Sequence, residues 1–325
     1  MPHNNLFDII RLLSAITVVI SHHYALSGLP EPKLFRGLSV GHCAVLAFFS
    51  ISGYLVTQSF DRSKSFFDFS KKRILRIFPG LIVCITLVVF FITPFFSTET
   101  PTNYLINILK TKDIIKILFF LEDRIPTVFD EAILKNHIFG SIWTLPYELW
   151  CYLILGVSLR IKNHKGTIMI LLLSCLLIYN LYSPRPQIVV LRNIIPSYFG
   201  LFGTAFFFGA LTAKITHKKL IFLLSVLVVS YIIASINLIS NPIIFQYLYI
   251  SSLVLLISLS FSERLIMGKF DYSYGIYIYS FPIQQVILNY TDLAFFPKLL
   301  LSLLVTISLA AFSWHYIEKP AKKLL

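Results

Sequence analysis

Ten apolar stretches of membrane-spanning length constrain this chain more than anything else in it. They fall at about 7–26, 38–58, 78–96, 143–161, 166–182, 197–214, 220–239, 243–261, 272–291 and 298–317. A helix needs roughly 20 apolar residues to cross the hydrocarbon core, where every backbone N–H and C=O must be satisfied within the segment. The expected fold is therefore all-α: a polytopic membrane bundle of about ten helices, forming one domain over residues 1–325. Composition supports this at the point that matters. Only 13% of residues are charged, about half the share of a soluble domain, and the mean hydropathy is +0.79.

A net charge of +13 invites a nucleic-acid reading, but basic cytoplasmic loops explain it more simply. With the N-terminus inside, the inner loops and ends hold 17 Lys and Arg against 10 in the outer loops. Both termini are then cytoplasmic, and no nucleic-acid partner is expected. Cys43, Cys84, Cys151 and Cys175 all sit in apolar runs without paired spacing, which reads as buried thiols and no metal site. The first apolar run lacks a basic leader and a small-residue cleavage site, so it is expected to be retained as a span. The one long connection, 97–142, holds a moderately apolar piece from Tyr104 to Leu121 broken by Lys110, Lys112, Asp113 and Lys116. That suits an interfacial or re-entrant helix on the outer side, in a loop long enough to have a task.

The first span is the unusual one. Phe7 to His23 is apolar enough to enter a bilayer, yet it carries Asp8, Arg11, His22 and His23. Ionisable groups inside a membrane cost a few kcal/mol and face a protein interior or a watery cavity. Arg11 and His22 are eleven residues apart, about 20° past three full turns, so they share one face roughly 16 Å apart along the axis. Asp8 lies one turn below Arg11, placed to neutralise it. Snorkelling with a capping pair is the structural alternative, but it leaves the shared face unexplained.

Four other places carry chemistry. Arg73 and Arg76, three residues apart in the basic segment ending at Pro79, can hold phosphates through charge-assisted bonds; topology-setting charge is the alternative. Ser52-Gly53 in the second span is a small step that lets a helix or a slender ligand approach closely. Glu148, in W-T-L-P-Y-E-L-W, is an intramembrane carboxylate whose partner is His22 or an arginine such as Arg192. The ninth span, Y-S-Y-G-I-Y-I-Y-S-F-P from Tyr272 to Pro282, offers tyrosine hydroxyls and a carbonyl freed by Pro282 as a lining for a sugar or thioester. Packing and interface anchoring are the competing uses of those tyrosines.

Taken in order, Asp8-x-x-Arg11 followed by ten residues and His22, Phe48 to Leu55 (F-F-x-x-S-G-Y-L), Arg73 to Pro79 (R-x-x-R-I-x-P), Trp143 to Glu148 (W-T-L-x-x-E), Tyr274-x-x-Tyr277 and Glu318-x-Pro320 resemble the acyltransferase-3 family of bacterial integral membrane acyltransferases. The likeness covers nearly the whole chain. It implies a multi-pass enzyme of the bacterial inner membrane that takes acetyl-CoA from the cytoplasm and acetylates a hydroxyl of an envelope glycan, such as O-antigen or capsule, or of a lipid-linked sugar. It further implies that Arg11 and His22 are the pair required for transfer, that Arg73 and Arg76 hold the CoA phosphates, and that Glu148 is the family's acidic residue. Ser52 and Tyr277 are expected along the donor's path. Ala44 and Ser280 depart from the family's usual glycine and histidine, so no catalytic role is expected at Ser280. The chain is expected to work without a fused SGNH-type domain. A carrier or flippase for an envelope lipid or sugar is the other functional class that such a polar stripe would serve.

Overall fold

The computed structural model describes residues 5–35, 37–111, 113–120, 122–160, 164–182, 191–236 and 243–324. All ten apolar runs fall on helices. α1 spans Phe7–Leu26; a short hairpin of β1 (Lys33–Phe35) and β2 (Leu38–Ser39) follows, then α2 (Val40–Asp61) and α3 (Phe66–Leu87). α4 (Pro101–Thr111) and α5 (Asp113–Leu118) occupy the long connection. The chain continues through α6 (Leu145–Ser158), α7 (His164–Tyr182), α8 (Leu191–Thr212), α9 (His217–Ile236), α10 (Ile243–Ser260), α11 (Ser273–Tyr290), α12 (Phe295–Ser313) and α13 (Lys319–Lys322). Among the described residues, four helical stretches are long and apolar enough to cross a membrane: Phe7–Leu26, Val40–Asp61, Phe66–Phe96 and Phe295–Lys322. Leu153, Val157, Leu173, Leu177, Phe222, Leu300 and Leu304 point outward and are exposed, an outer surface suited to lipid and not to water. Arg36, Lys112, Leu121, Lys162 and Arg185 lie outside the described residues, as does the side chain of Arg192.

Two of the sequence boundaries change. α3 begins at Phe66, twelve residues before the apolar run at 78, because Lys71, Lys72, Arg73 and Arg76 are good helix formers despite their charge. Pro79 therefore sits inside a helix. The expected helix Tyr104–Leu121 is instead two pieces, α4 and α5.

The chain divides into two compact units. The first comprises Met1–Arg11, His42–Ser70 and Tyr147–Lys269; the second comprises Leu12–Gly41, Lys71–Pro146 and Phe270–Leu325. In the first, Phe7 packs with Ile51 of α2, Leu220 and Leu224 of α9, and Leu255 and Leu259 of α10. Asp8 accepts a hydrogen bond from the Gly268 N–H at 3.1 Å. α2 and α8 cross at near-backbone contact: a Cβ on Gly53 would lie 1.8 Å from the Phe206 carbonyl oxygen, and one on Gly209 would lie 2.0 Å from that of Ser50. The Ser52-Gly53 step thus admits a helix. Gly53→Ala should force these helices apart at a cost of about 1–3 kcal/mol or more, read as a lowered melting temperature of the purified protein.

In the second unit α11 is the buried centre, with every residue from Ser273 to Gln285 buried. A Cβ on Gly275 would meet Ala310 at 2.8 Å, so α12 lies close against it. Pro282 has no N–H, which leaves the Ile278 carbonyl without its helical donor. The Cys84 thiol of α3 supplies the missing donor at 3.5 Å. α3 runs on into a π-turn, Val88–Ile92, and a 3₁₀ turn, Thr93–Phe96. The widened turn is tied by Thr93 Oγ1, which donates to the Val88 and Val89 carbonyls at 3.2 Å and meets the Tyr104 hydroxyl at 2.6 Å. Burial pushes the Tyr104 phenol up to about 12, so it remains a neutral donor and fastens α4 to α3. The loop is clasped at its other end by Gln285 of α11, which donates to the Leu134 and His137 carbonyls at 3.0 and 2.9 Å.

Candidate functional site

α1 is one unbroken helix, so Arg11, Ala15, Val18 and His22 form a single row along it. Ala15 and Val18 are 0% and 1% exposed, whereas Leu13 across the helix is 56% exposed. The row carrying Arg11 and His22 therefore faces protein.

Adjacent histidines on a helix point about 100° apart, and these two have different surroundings. His23 is fully buried. Its Nε2 lies 3.1 Å from the Phe295 carbonyl, which only accepts, so Nε2 carries the proton. The Gln284 amide nitrogen donates to the Val19 carbonyl at 2.8 Å and lies 3.4 Å from His23 Nδ1. His23 is thus a neutral imidazole with both nitrogens engaged, bolting α1 to α11 and α12. His22 stacks edge-on over Phe281, with centroids 5.4 Å apart. Its Nδ1 is buried, and among the described residues nothing hydrogen-bonds to it; the same holds for Gln284 Oε1. A buried polar atom without a partner costs about 1–3 kcal/mol, and a ligand hydroxyl would relieve that cost. Beside His22 in the chain, Ser21 donates to the Glu31 carboxylate and accepts from the Gly41 N–H at 3.1 Å.

Arg73 and Arg76 lie one turn apart on α3. The structure gives Arg76 intramolecular partners that the sequence reading did not foresee. Its guanidinium bonds Asp271 at 2.6 Å and Glu318 at 3.4 Å, and it sits 5.6 Å over the Tyr274 ring. The carboxylates are themselves held: Ser273 donates to Asp271 at 2.6 Å and Ser313 to Glu318 at 3.1 Å. Glu318 is 1% exposed. The Tyr274 hydroxyl donates to the Ile77 carbonyl at 2.8 Å, just before Pro79. Arg76 is therefore the centre of a clamp joining α3, α11 and the end of the chain. Tyr277 is 7% exposed and its hydroxyl meets Thr144 at 2.5 Å.

In the first unit, two expected site residues come together. Ser52 of α2 donates to Glu148 Oε1 of α6 at 2.8 Å. Tyr152, one turn along α6, donates to the same oxygen. A carboxylate with two hydroxyl donors is held as an acceptor.

His22 thus offers a buried Nδ1 that has no hydrogen bond among the described residues, on the helix face it shares with Arg11. The family model described as an acyltransferase domain, acyltransferase-3, matches residues 4–315. The chain belongs to the acyltransferase-3 family. The acyltransferase is 39% identical over 326 residues to an O-acetyl transferase of Shigella phage Sf6, covering 98% of this chain and 96% of that protein. It is 28% identical over 350 residues to nodulation protein 10 of Rhizobium leguminosarum bv. viciae, covering 99% and 94%. No solved structure matches it. It is a membrane enzyme transferring acyl groups other than aminoacyl groups. The sequence reading missed three residues of this acyltransferase: Tyr152, which i, i+4 spacing from Glu148 would have found, and Gln284 and Asp271, whose partners are remote in the chain; it held Glu318 in a motif without its arginine partner.

Proposed function

We propose that this acyltransferase moves acetyl from cytoplasmic acetyl-CoA to a hydroxyl of an envelope glycan. It does so as a protein of the bacterial inner membrane that spans it about ten times with both termini inside. The O-acetyl transferase likeness supports acetyl as the group and oxygen as its acceptor. The excess of basic residues in the assigned inner loops supports the orientation. The observation that carries the mechanism is the Nδ1 of His22, without a partner among the described residues, beside a His23 with both nitrogens engaged.

In this mechanism His22 Nδ1 accepts the proton of the acceptor hydroxyl as its oxygen attacks the thioester carbonyl carbon. The new C–O bond forms, the C–S bond breaks, and the departing CoA sulfur takes the proton from His22, which returns neutral. Arg11, three turns earlier on the same helix, orients the donor's arm. Arg73 binds its phosphates, while Arg76 fixes the position of α3. Glu148 orients Ser52.

Acetyl-CoA should raise the melting temperature of the detergent-solubilised protein, by the equivalent of about 2.7 kcal/mol at a hundred times its Kd. Arg73→Gln should weaken that binding about tenfold or more, as loss of a charge-assisted bond does. Mass spectrometry of surface polysaccharide from cells with and without the gene should differ by acetyl esters. No thermal response together with unchanged polysaccharide would sink the proposal.

A further inference from the structure

We infer that the loop 97–142 carries a sugar subsite for one neutral pyranose ring of the acceptor glycan, in a cavity between α4, α5 and the turn at 125–127. This rests on the acceptor and the outward orientation proposed above. The cavity holds about 170 Å³, well below the roughly 300 Å³ at which sites for drug-sized ligands begin, and suits a single ring.

Its lining has the two characters a pyranose requires. Glu99, Asn107, Thr111 and Asp113 supply the polar side, and Ile108 and Pro126 the apolar side. Asn107 Nδ2 donates to Glu99 Oε2 at 2.9 Å. That pairing sets an amide donor beside a carboxylate acceptor. Neighbouring ring hydroxyls, each both donor and acceptor, complement such a pair. Asp113 is held from two sides, by Thr111 Oγ1 at 2.5 Å and Lys116 Nζ at 2.7 Å. Ile108 is 2% exposed and gives the ring's C–H face a dry floor. Two carboxylates in the wall disfavour a phosphate or a sugar acid, so the ring is uncharged.

The cavity is also stiff. Thr127 in its wall has φ 71°, a conformation rare for a β-branched residue. It is held there by the Thr98 N–H on its carbonyl at 2.8 Å and by Ser97 against its hydroxyl at 2.9 Å. Tyr104, bonded to Thr93 and Val89, fixes the α4 wall. A wall ordered before binding loses little freedom when the ligand arrives.

The full chain in nanodiscs tests this by acetyl transfer to envelope polysaccharide. Asn107→Ala combined with Glu99→Gln should raise the acceptor KM about tenfold, with kcat and the KM for acetyl-CoA within about twofold. Unchanged acceptor KM, with wild-type transfer intact, overturns the subsite and leaves the proposed function standing. Absence of wild-type transfer instead sinks the function. In that event saturation-transfer NMR with glucose, rhamnose and N-acetylglucosamine decides the subsite alone. Signal lost in the double variant supports it, and no signal from any of the three overturns it. Asn107 is exposed and Glu99 half-buried, and an unchanged melting temperature for Glu99→Gln alone verifies that the fold survives.

Discussion

Replacing His22 with glutamine should cut acyl transfer by about 10²–10⁴-fold, the range general-base removal produces, while the protein inserts and melts as before. His22 contributes one edge-on ring contact with Phe281 and leaves Nδ1 without a hydrogen bond among the described residues. Glutamine keeps much of the bulk but has no group that accepts a proton near neutrality. His23→Gln should behave in the opposite way. It removes the donor to Phe295 and the acceptor facing Gln284, so it lowers stability first and activity only as a consequence. Thermal melting and radiolabelled acetyl transfer, measured on both variants, separate the roles. A His22 variant with full transfer would refute the assignment.

Arg76→Met should be among the most destabilising single changes in the chain, at about 3–5 kcal/mol. Removing the cation from a buried ionic cluster leaves its carboxylates uncompensated, here Asp271 and the almost fully buried Glu318. The double variant Arg76→Met with Glu318→Leu should regain part of the loss, because an apolar pair avoids the stranded charge. Detergent-titrated unfolding measures both. If Arg76→Met instead keeps its stability and loses only affinity for acetyl-CoA, the arginine serves the donor and the clamp is incidental.

What could be read from the chain followed from the range of the physics. Helices at all ten apolar runs were legible because the period and length of an apolar run are local properties. The shared row of Arg11 and His22 was legible for the same reason, since helix geometry alone sets it. The start of α3 at Phe66 was hidden because Asp68, Lys71, Lys72, Arg73 and Arg76 break the apolar run there into pieces too short to read as a span. The fate of Arg76 was hidden by distance: Asp271 and Glu318 lie 195 and 242 residues away. The motif Glu318-x-Pro320 was visible, but nothing nearby said that its carboxylate answers an arginine. Equally, the difference between His22 and His23 is one of neighbours from α11 and α12, and no spacing rule reaches them.

The thiol on α3 that answers the Ile278 carbonyl bears on anyone preparing this enzyme for spectroscopic labelling. All four cysteines are buried and free, so a cysteine-free background looks simple to make with alanine throughout. At position 84 alanine would strand a carbonyl that proline has already deprived of its amide. Serine there keeps a hydrogen to offer, and makes the better blank canvas.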